Sequence, residues 1–466
     1  MAKQATEDDE VGRRDAGPLA TIRIATFAVC LTFCASLPCA ANAAPAGDPG
    51  AWLPGDSVFG LFRTLQDDFF TEDDGTTYVQ TGDIPAMWLR DSAGQSSPYV
   101  RFIPFSPHLD RAIRGVIARD AKNILTDSRA NAFTAGYKVW EEKWEVDSLA
   151  YPIRLAWLYW STTADRQIFT PRFHWALEHA LQTYDCEQKH ATCSSYRTRF
   201  LANDGEGAPF AYTGMIWGAF RPSDDPVRFP YNIPQEVIAA GALDDLAQLE
   251  NIGYHDSGAG QRANQLAAQV RVGIERYGRV SDIRYGRVYA YEVDGRGGYE
   301  LMDDANAPSL LSLPLIDETF QYDGTYRRTR AWVLSSANPY YYAGSYAEGE
   351  GSPHTPTGWV WPMGLIVQAL TATDAAEVRS MIAQIDATRG SDGAIHESVN
   401  PDDPSQFTRA SFGWVNAFDA ELRFRTFGGL EAEPGSAPTP ILNSPFASWL
   451  YAAQVMRTAQ LLPLDR

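Results

Sequence analysis

The feature that most constrains this chain is a helical apolar period that recurs from about residue 149 to the C-terminus. Leu149, Ile153, Ala156 and Trp160 share one helical face. Leu243, Leu246 and Leu249 continue a second helix that begins near Pro234. Leu266, Val270, Ile274 and Tyr277 form a third stripe, with Gly278 as its C-cap. Met363, Ile366, Val367 and Leu370 mark a fourth, and Val378, Met381, Ile382 and Ile385 a fifth. Phe446, Leu450 and Ala453 mark the last. The best strand signal is Arg284 to Val293, which alternates and runs into the hairpin turn Asp294-Gly295. Strands do not alternate with helices, so a parallel sheet is excluded. A mainly α domain with minor hairpins remains, either a helical barrel or an irregular helical array.

The chain has 466 residues, enough for a large core. The apolar run Ile24 to Leu37 follows Arg13, Arg14 and Arg23 and is too short for an ordinary membrane span. Ala41-Asn42-Ala43 supplies a cleavage pattern, so residues 1–44 read as a signal peptide and the mature protein as exported, periplasmic or secreted. Residues 45–55, rich in Ala, Pro and Gly, read as a flexible linker. Residues 56–466 contain no low-complexity break and read as one domain. Cleavage after Ala44 removes four basic and five acidic residues, leaving −18 of the formal charge of −19. That charge excludes a phosphate-binding footprint for nucleic acid and adhesion to an anionic membrane. It is compatible with a neutral polar ligand; a monomer is expected, although the charge does not decide the oligomeric state. Cleavage also removes Cys30, Cys34 and Cys39. Cys186 and Cys193 then remain, and in an exported chain they read as one short-loop disulfide.

Between the helices lie loops dense in Asp, Glu, Arg, Trp and Tyr, where a rigid scaffold carries function. Five segments stand out. The first, Thr81 to Ser92, sets Arg90 and Asp91 beside Trp88, a set that can bind vicinal hydroxyls while the ring stacks on a sugar. It can equally be a surface ion pair at a helix start near Ser92. In the second, Glu141 to Ser148, Glu145 and Asp147 alternate with Trp144 and Val146, and Asp147 or Ser148 can cap the next helix. The third, Thr213 to Asp225, ends in Arg221 and the adjacent carboxylates Asp224 and Asp225. An acid desolvated by Trp217 and Phe220 would have its pKa raised, as a general acid requires. The alternative is an Asx-type turn. The fourth runs from Ala337 to Tyr346 and on through His354 to Trp359 and Trp361, an aromatic loop with the look of a sugar site. The fifth contains Gly393, His396, Glu397, Asp402, Asp403, Phe407, Arg409, Phe412 and Trp414, with Glu397 a candidate general base. Zinc-protease, His-x-His, EF-hand, Walker A and GxSxG patterns are lacking, which gives metal chemistry, nucleotide binding and serine hydrolysis no support.

These five segments resemble glycoside hydrolase family 125, the exo-α-1,6-mannosidases. The tracts are TGDIPAMWLRDSAGQ, KWEVDSLAYPI, TGMIWGAFRPSDD, NPYYYAGSYAEGEGSPHTP with GWVWP, and AIHESVNPDDPSQFTRASFGWVNA, in order from Thr81 to Ala417. The resemblance implies an (α/α)6 barrel, an inverting mechanism, an α-mannoside glycan as substrate and no metal or other cofactor. It places the general acid in the Asp224-Asp225 pair, assigned here to Asp224, and the base on Glu397. Trp88, Arg90, Asp91, Glu145, Arg221, Asp225, His354, Trp361 and Arg409 would then bind the terminal mannose, and the Tyr340 to Trp361 loops would close the pocket. Competing expectations are an inverting α-glucosidase on the same barrel, a non-catalytic glycan-binding protein, and a barrel polysaccharide lyase, whose uronate substrates fit the negative charge poorly.

Overall fold

The structure is a computed structural model that describes residues 64–426, apart from residue 392. The expected leader, linker and final apolar stripe, including Cys30, Cys34 and Cys39, lie outside the described residues.

Leaving out the short turns at His190–Cys193 and Ala202–Gly205 and the 3-10 and π turns, the helices fall into two alternating kinds. α1 (Leu89–Ser96), α3 (Asp147–Thr163), α5 (Ile233–Leu249), α7 (Leu313–Ile316), α9 (Pro362–Leu370) and α11 (Gly413–Thr426) alternate along the chain with α2 (Pro107–Thr126), α4 (Pro171–Gln188), α6 (Ser257–Tyr277), α8 (Gly324–Val333) and α10 (Ala375–Ala387). Every residue of α1 is buried, as are nearly all of α5 and α9. A helix buried on all sides must be surrounded by others. By contrast α6 buries one stripe through Ala259, Ala263, Leu266, Val270 and Ile274, and α10 buries Val378, Met381 and Ile385. The first kind forms an inner ring and the second an outer layer. α3 packs on α1 and α5, α7 on α5, and α9 on α11, and the ring closes where α11 packs on α1. This is an (α/α)6 barrel.

Capping chemistry sets the helix starts. Ser106, Thr170, Asn232 and Asp256 each accept a backbone N–H of the first turn of α2, α4, α5 and α6. Prolines occupy the first turns of α2, α4, α5 and α9, where the missing N–H costs nothing. α3 departs from the sequence expectation. It begins at Asp147 with no side-chain cap, because the Asp147 carboxyl is held elsewhere. Gly278 does end α6, but in a right-handed conformation. Its need for glycine is one of space, since a Cβ there would lie 2.7 Å from the Ile274 carbonyl oxygen.

The hairpins are short. Arg284 to Val293 is not one strand. Arg279–Asp282 pairs with Gly286–Tyr289 around a turn at 283–285. Glu292–Val293 instead pairs with Tyr231–Asn232 and with Tyr299–Glu300. An alternating run shows no break when the chain leaves one sheet for another. Asp294-Gly295 does turn, with Asp294 Oδ1 accepting from the N–H groups of Arg296 and Gly298. Cys186 and Cys193 form a disulfide at the end of α4.

Candidate active site

The starts of the inner helices supply most of the site. Arg90 stands in the first turn of α1, Glu145 and Asp147 at the start of α3, and Gln235 in the first turn of α5. Helix N-termini favour negative charge, and four carboxylates gather here around a single guanidinium. Arg90 Nη1 donates to Glu145 Oε2 at 2.6 Å and Nη2 to Asp224 Oδ1 at 3.0 Å. Asp91 lies 3.2 Å from Nε and Asp147 3.7 Å from Nη1. Arg90 is therefore no surface ion pair. Asp147 accepts from Gln235 Nε2 at 2.7 Å, and Glu145 from Ser148 Oγ at 2.8 Å.

One cation cannot balance four buried carboxylates, so protons are retained. Burial, joined by the charge of Asp224, raises Glu145 well above the ordinary carboxylate range against the opposing pull of Arg90. Burial lifts Asp91 and Asp147 each to about 6, again against Arg90. Asp224 goes the other way. Burial raises it, but a hydrogen bond from Glu145 and the charges of Arg90, Lys143 and His354 outweigh that and leave it lowered. The expected desolvation by Trp217 and Phe220 does not decide the matter. Both rings are in the core, and Trp217 stacks on His190 at 3.6 Å. Of the two carboxyls, Glu145 is the one whose protonated form the surroundings favour.

Asp224 and Asp225 diverge, as neighbours in a tight turn do. Arg221 N–H donates to the Asp225 carbonyl at 2.8 Å, and Asp224 adopts φ +67°. A non-glycine residue held in that region is strained and marks a position fixed by its surroundings. The Asp224 carboxyl meets Arg90 and is 16% exposed. Asp225 Oδ1 lies 3.3 Å from His354 Nδ1. His354 is raised to about 9 by that hydrogen bond, against burial, with further help from Asp225, Asp224 and Glu397. The imidazole thus sits in the field of all three carboxylates. Glu397 is raised by burial, opposed by Arg409 and His354.

Arg409 joins the first and fifth segments. Its Nε donates to Asp83 Oδ1 at 2.8 Å, its Nη2 to the Thr81 carbonyl, and its Nη1 lies 3.8 Å from Glu397. Gly82 is required beside this clasp, because a Cβ would lie 2.2 Å from the Ser411 carbonyl oxygen. The fourth and fifth segments meet where Tyr346 N–H donates to the Pro401 carbonyl and Val360 pairs with Val399.

Three residues expected to touch sugar act from elsewhere. Glu145 is 0% and Trp361 1% exposed. Glu145 works from beneath Asp224, and Trp361 packs in the core against Phe412 with its Nε1 donating to Thr355. Arg221 is tied to Glu292, which leaves its backbone to shape the Asp224 turn. Trp88 is buried, with Nε1 lacking a hydrogen-bond partner among the described residues. Sequence reasoning missed Asn131, whose amide donates to Glu145 at 3.2 Å and contacts Asp224 at 3.4 Å. It also missed residues 303 to 306. Asp304 sits between Ser223 and Ser352, and Asn306 Nδ2 donates to the Pro222 carbonyl at 2.7 Å. A buried Asn in a loop carries no periodic signal, although the Asp-Asp-Ala-Asn run was there to be noticed. Among the described residues, no His, Cys, Asp and Glu grouping with ligand spacing falls in this cluster.

Paired carboxylates in the loops that lead into the inner helices of an (α/α)6 barrel suit a glycoside hydrolase. The family described as metal-independent alpha-mannosidase (GH125) matches residues 60–423, and the chain belongs to it. A solved Streptococcus pneumoniae structure from the work on metal-independent alpha mannosidases, a non-productive complex with alpha-1,6-mannobiose, is 37% identical. It covers 80% of this chain and 93% of its own, with a TM-score of 0.78. The Schizosaccharomyces pombe meiotically up-regulated gene 157 protein is 36% identical over 386 residues, 74% of this chain and 76% of that protein. A glucoamylase from Saccharomycopsis fibuligera shares the fold at 12% identity and a TM-score of 0.55, covering 83% of this chain and 97% of its own.

Proposed function

We propose that this α-mannosidase is exo-acting, cleaves terminal α-1,6-linked mannose and inverts the anomeric configuration. The observation that carries the reading is the division of labour among the carboxylates. Asp224 is backed by Glu145, whose protonated form is favoured, while Glu397 belongs to a different segment, beside Arg409, with a raised pKa. Inversion needs an acid and a base separated by room for a water. Glu145 hands its proton to Asp224 as Asp224 protonates the departing glycosidic oxygen. Glu397 takes a proton from the water that attacks the opposite face, and its raised pKa makes it the stronger base. Arg90, Asn131 and Ser148 hold the acid pair. The charges of Arg409 and His354 favour the ionised form of Glu397 against the effect of burial. Asp225 orients His354, and with Trp88 and Asp91 it completes the wall around the terminal mannose.

The linkage preference draws support from the mannobiose complex of the Streptococcus pneumoniae relative. Export through residues 1–44 and a monomeric mature chain belong to the same proposal. NMR of the first product from α-1,6-mannobiose tests the mechanism. Initial β-mannose supports it, and initial α-mannose rules inversion out. Asp224→Asn should lose far more turnover than Asp225→Asn. The reverse order would move the acid to Asp225.

A further inference from the structure

At the end of α5 remote from the catalytic cluster the helix does not stop cleanly. Glu250–Tyr254 continues it as a π-helical turn before Asp256 caps α6. Such turns are rare and gather at functional positions. This one turns Glu250 inward. The residue is fully buried, and neither carboxyl oxygen has a hydrogen-bond partner among the described residues. A buried carboxyl in that state takes up either a proton or a cation. Arg262 is nearby but is engaged by both oxygens of Glu178, at 2.8 and 3.1 Å.

His174 of α4 faces Glu250. Its Nε2 lies 3.1 Å from Glu250 Oε2 and 3.9 Å from Asp256 Oδ2. The ring is fixed by stacking on Tyr254 at 4.2 Å. Asp256 is fixed because its other oxygen accepts from the Ala259 N–H at 2.9 Å. Close as it is, the His174 to Glu250 approach is not a hydrogen bond, since Nε2 too has no such partner. The carboxylate oxygen stands beside the ring nitrogen's axis and not on it. Two ligands of one ion are disposed in that way, each pointing at the ion and not at the other. A tetrahedral ion with bonds of about 2.1 Å holds its ligand atoms roughly 3.4 Å apart, and the two observed separations bracket that value.

We propose that His174, Glu250 and Asp256 bind a divalent transition-metal ion, with Zn2+ preferred, as a structural staple. One imidazole with two carboxylates suits Zn2+, whereas Ca2+ and Mg2+ prefer all-oxygen sets. His174 and Asp256 are partly exposed, which gives the ion a way in. The staple ties α4, the turn after α5 and the start of α6. It stands well clear of the chemistry. Gln235, which touches Asp147 of the carboxylate cluster, is in the first turn of α5, and Glu250 follows roughly 22 Å further along the axis at about 1.5 Å per residue. Turnover therefore stays metal-independent.

The test uses tag-free protein stripped with chelator and titrated with Zn2+ by calorimetry, followed by elemental analysis and thermal melting. We expect one Zn2+ per chain and a Tm higher by several degrees. His174→Ala and Asp256→Asn should each weaken binding at least tenfold and lose the Tm gain while keeping mannosidase turnover. A Co2+ absorption band lost in the same variants would confirm direct ligation. Three results overturn the proposal: no Zn2+ taken up at micromolar concentration, uptake and Tm gain unchanged in both variants, or loss of turnover on stripping folded wild-type protein.

Discussion

Glu145→Gln isolates the proton behind Asp224. In the wild type the protonated form of Glu145 is favoured in a cluster where one guanidinium faces four carboxylates. A glutamine fills the same volume, can still accept from Arg90 and can still donate to Asp224. It cannot hand a proton over, so Asp224 stays ionised and cannot protonate a departing sugar. General acid catalysis contributes about 10²–10⁴-fold. We expect kcat/KM on α-1,6-mannobiose to fall roughly 10³-fold, about 4 kcal/mol of transition-state stabilisation. The contrast comes from a dinitrophenyl α-mannoside, whose phenolate leaves without protonation. On that substrate the variant should stay within about tenfold of wild type. The substitution adds no charge to the cluster, so Tm should hardly move. Equal losses on both substrates would refute the proton-holding role, as would full activity on mannobiose.

Replacing His354 by Gln should move the acidic limb of the kcat/KM profile. Protonated His354 lowers the Glu397 pKa. Without it Glu397 protonates at higher pH, and the limb should shift upward by roughly one unit; a limb that stays put or shifts down contradicts the geometry. Gly82→Ala sets a methyl against the Ser411 carbonyl at φ +63°. It should cost about 2–3 kcal/mol in urea unfolding and impair turnover through the Asp83–Arg409 clasp. Cys186→Ser opens a disulfide between residues seven apart and should lower stability by about 2 kcal/mol, read from the same curves, with activity kept.

The sequence was informative where a pattern is local. Stripes such as Leu266 to Ile274 and Val378 to Ile385 do lie in helices, because one-sided burial leaves a period in the residues. α1 escaped notice. It is buried on every side, polar residues included, so it has no apolar face to betray it. The five segments were visible through their composition, but their pairings were not. Asp147 had the residue type and position of a cap, and only the presence of Gln235 from another helix shows that its carboxyl is occupied. Likewise no local rule could show that Glu145 lies beneath Asp224, or that Arg221 faces Glu292. These contacts span long stretches of chain and depend on how the ring closes.

The clasp between Asp83 and Arg409 spans 326 residues. Its consequence concerns the order of events during synthesis. Contacts between distant parts of a chain form late, because the loop between them must first be closed. Arg90 and Glu145 are made early and can associate early, yet Glu397 and the arginine that favours its charged form are among the last described residues to be made. On the proposed assignment a nascent chain carries its acid long before its base, and a product truncated before Glu397 would cleave nothing.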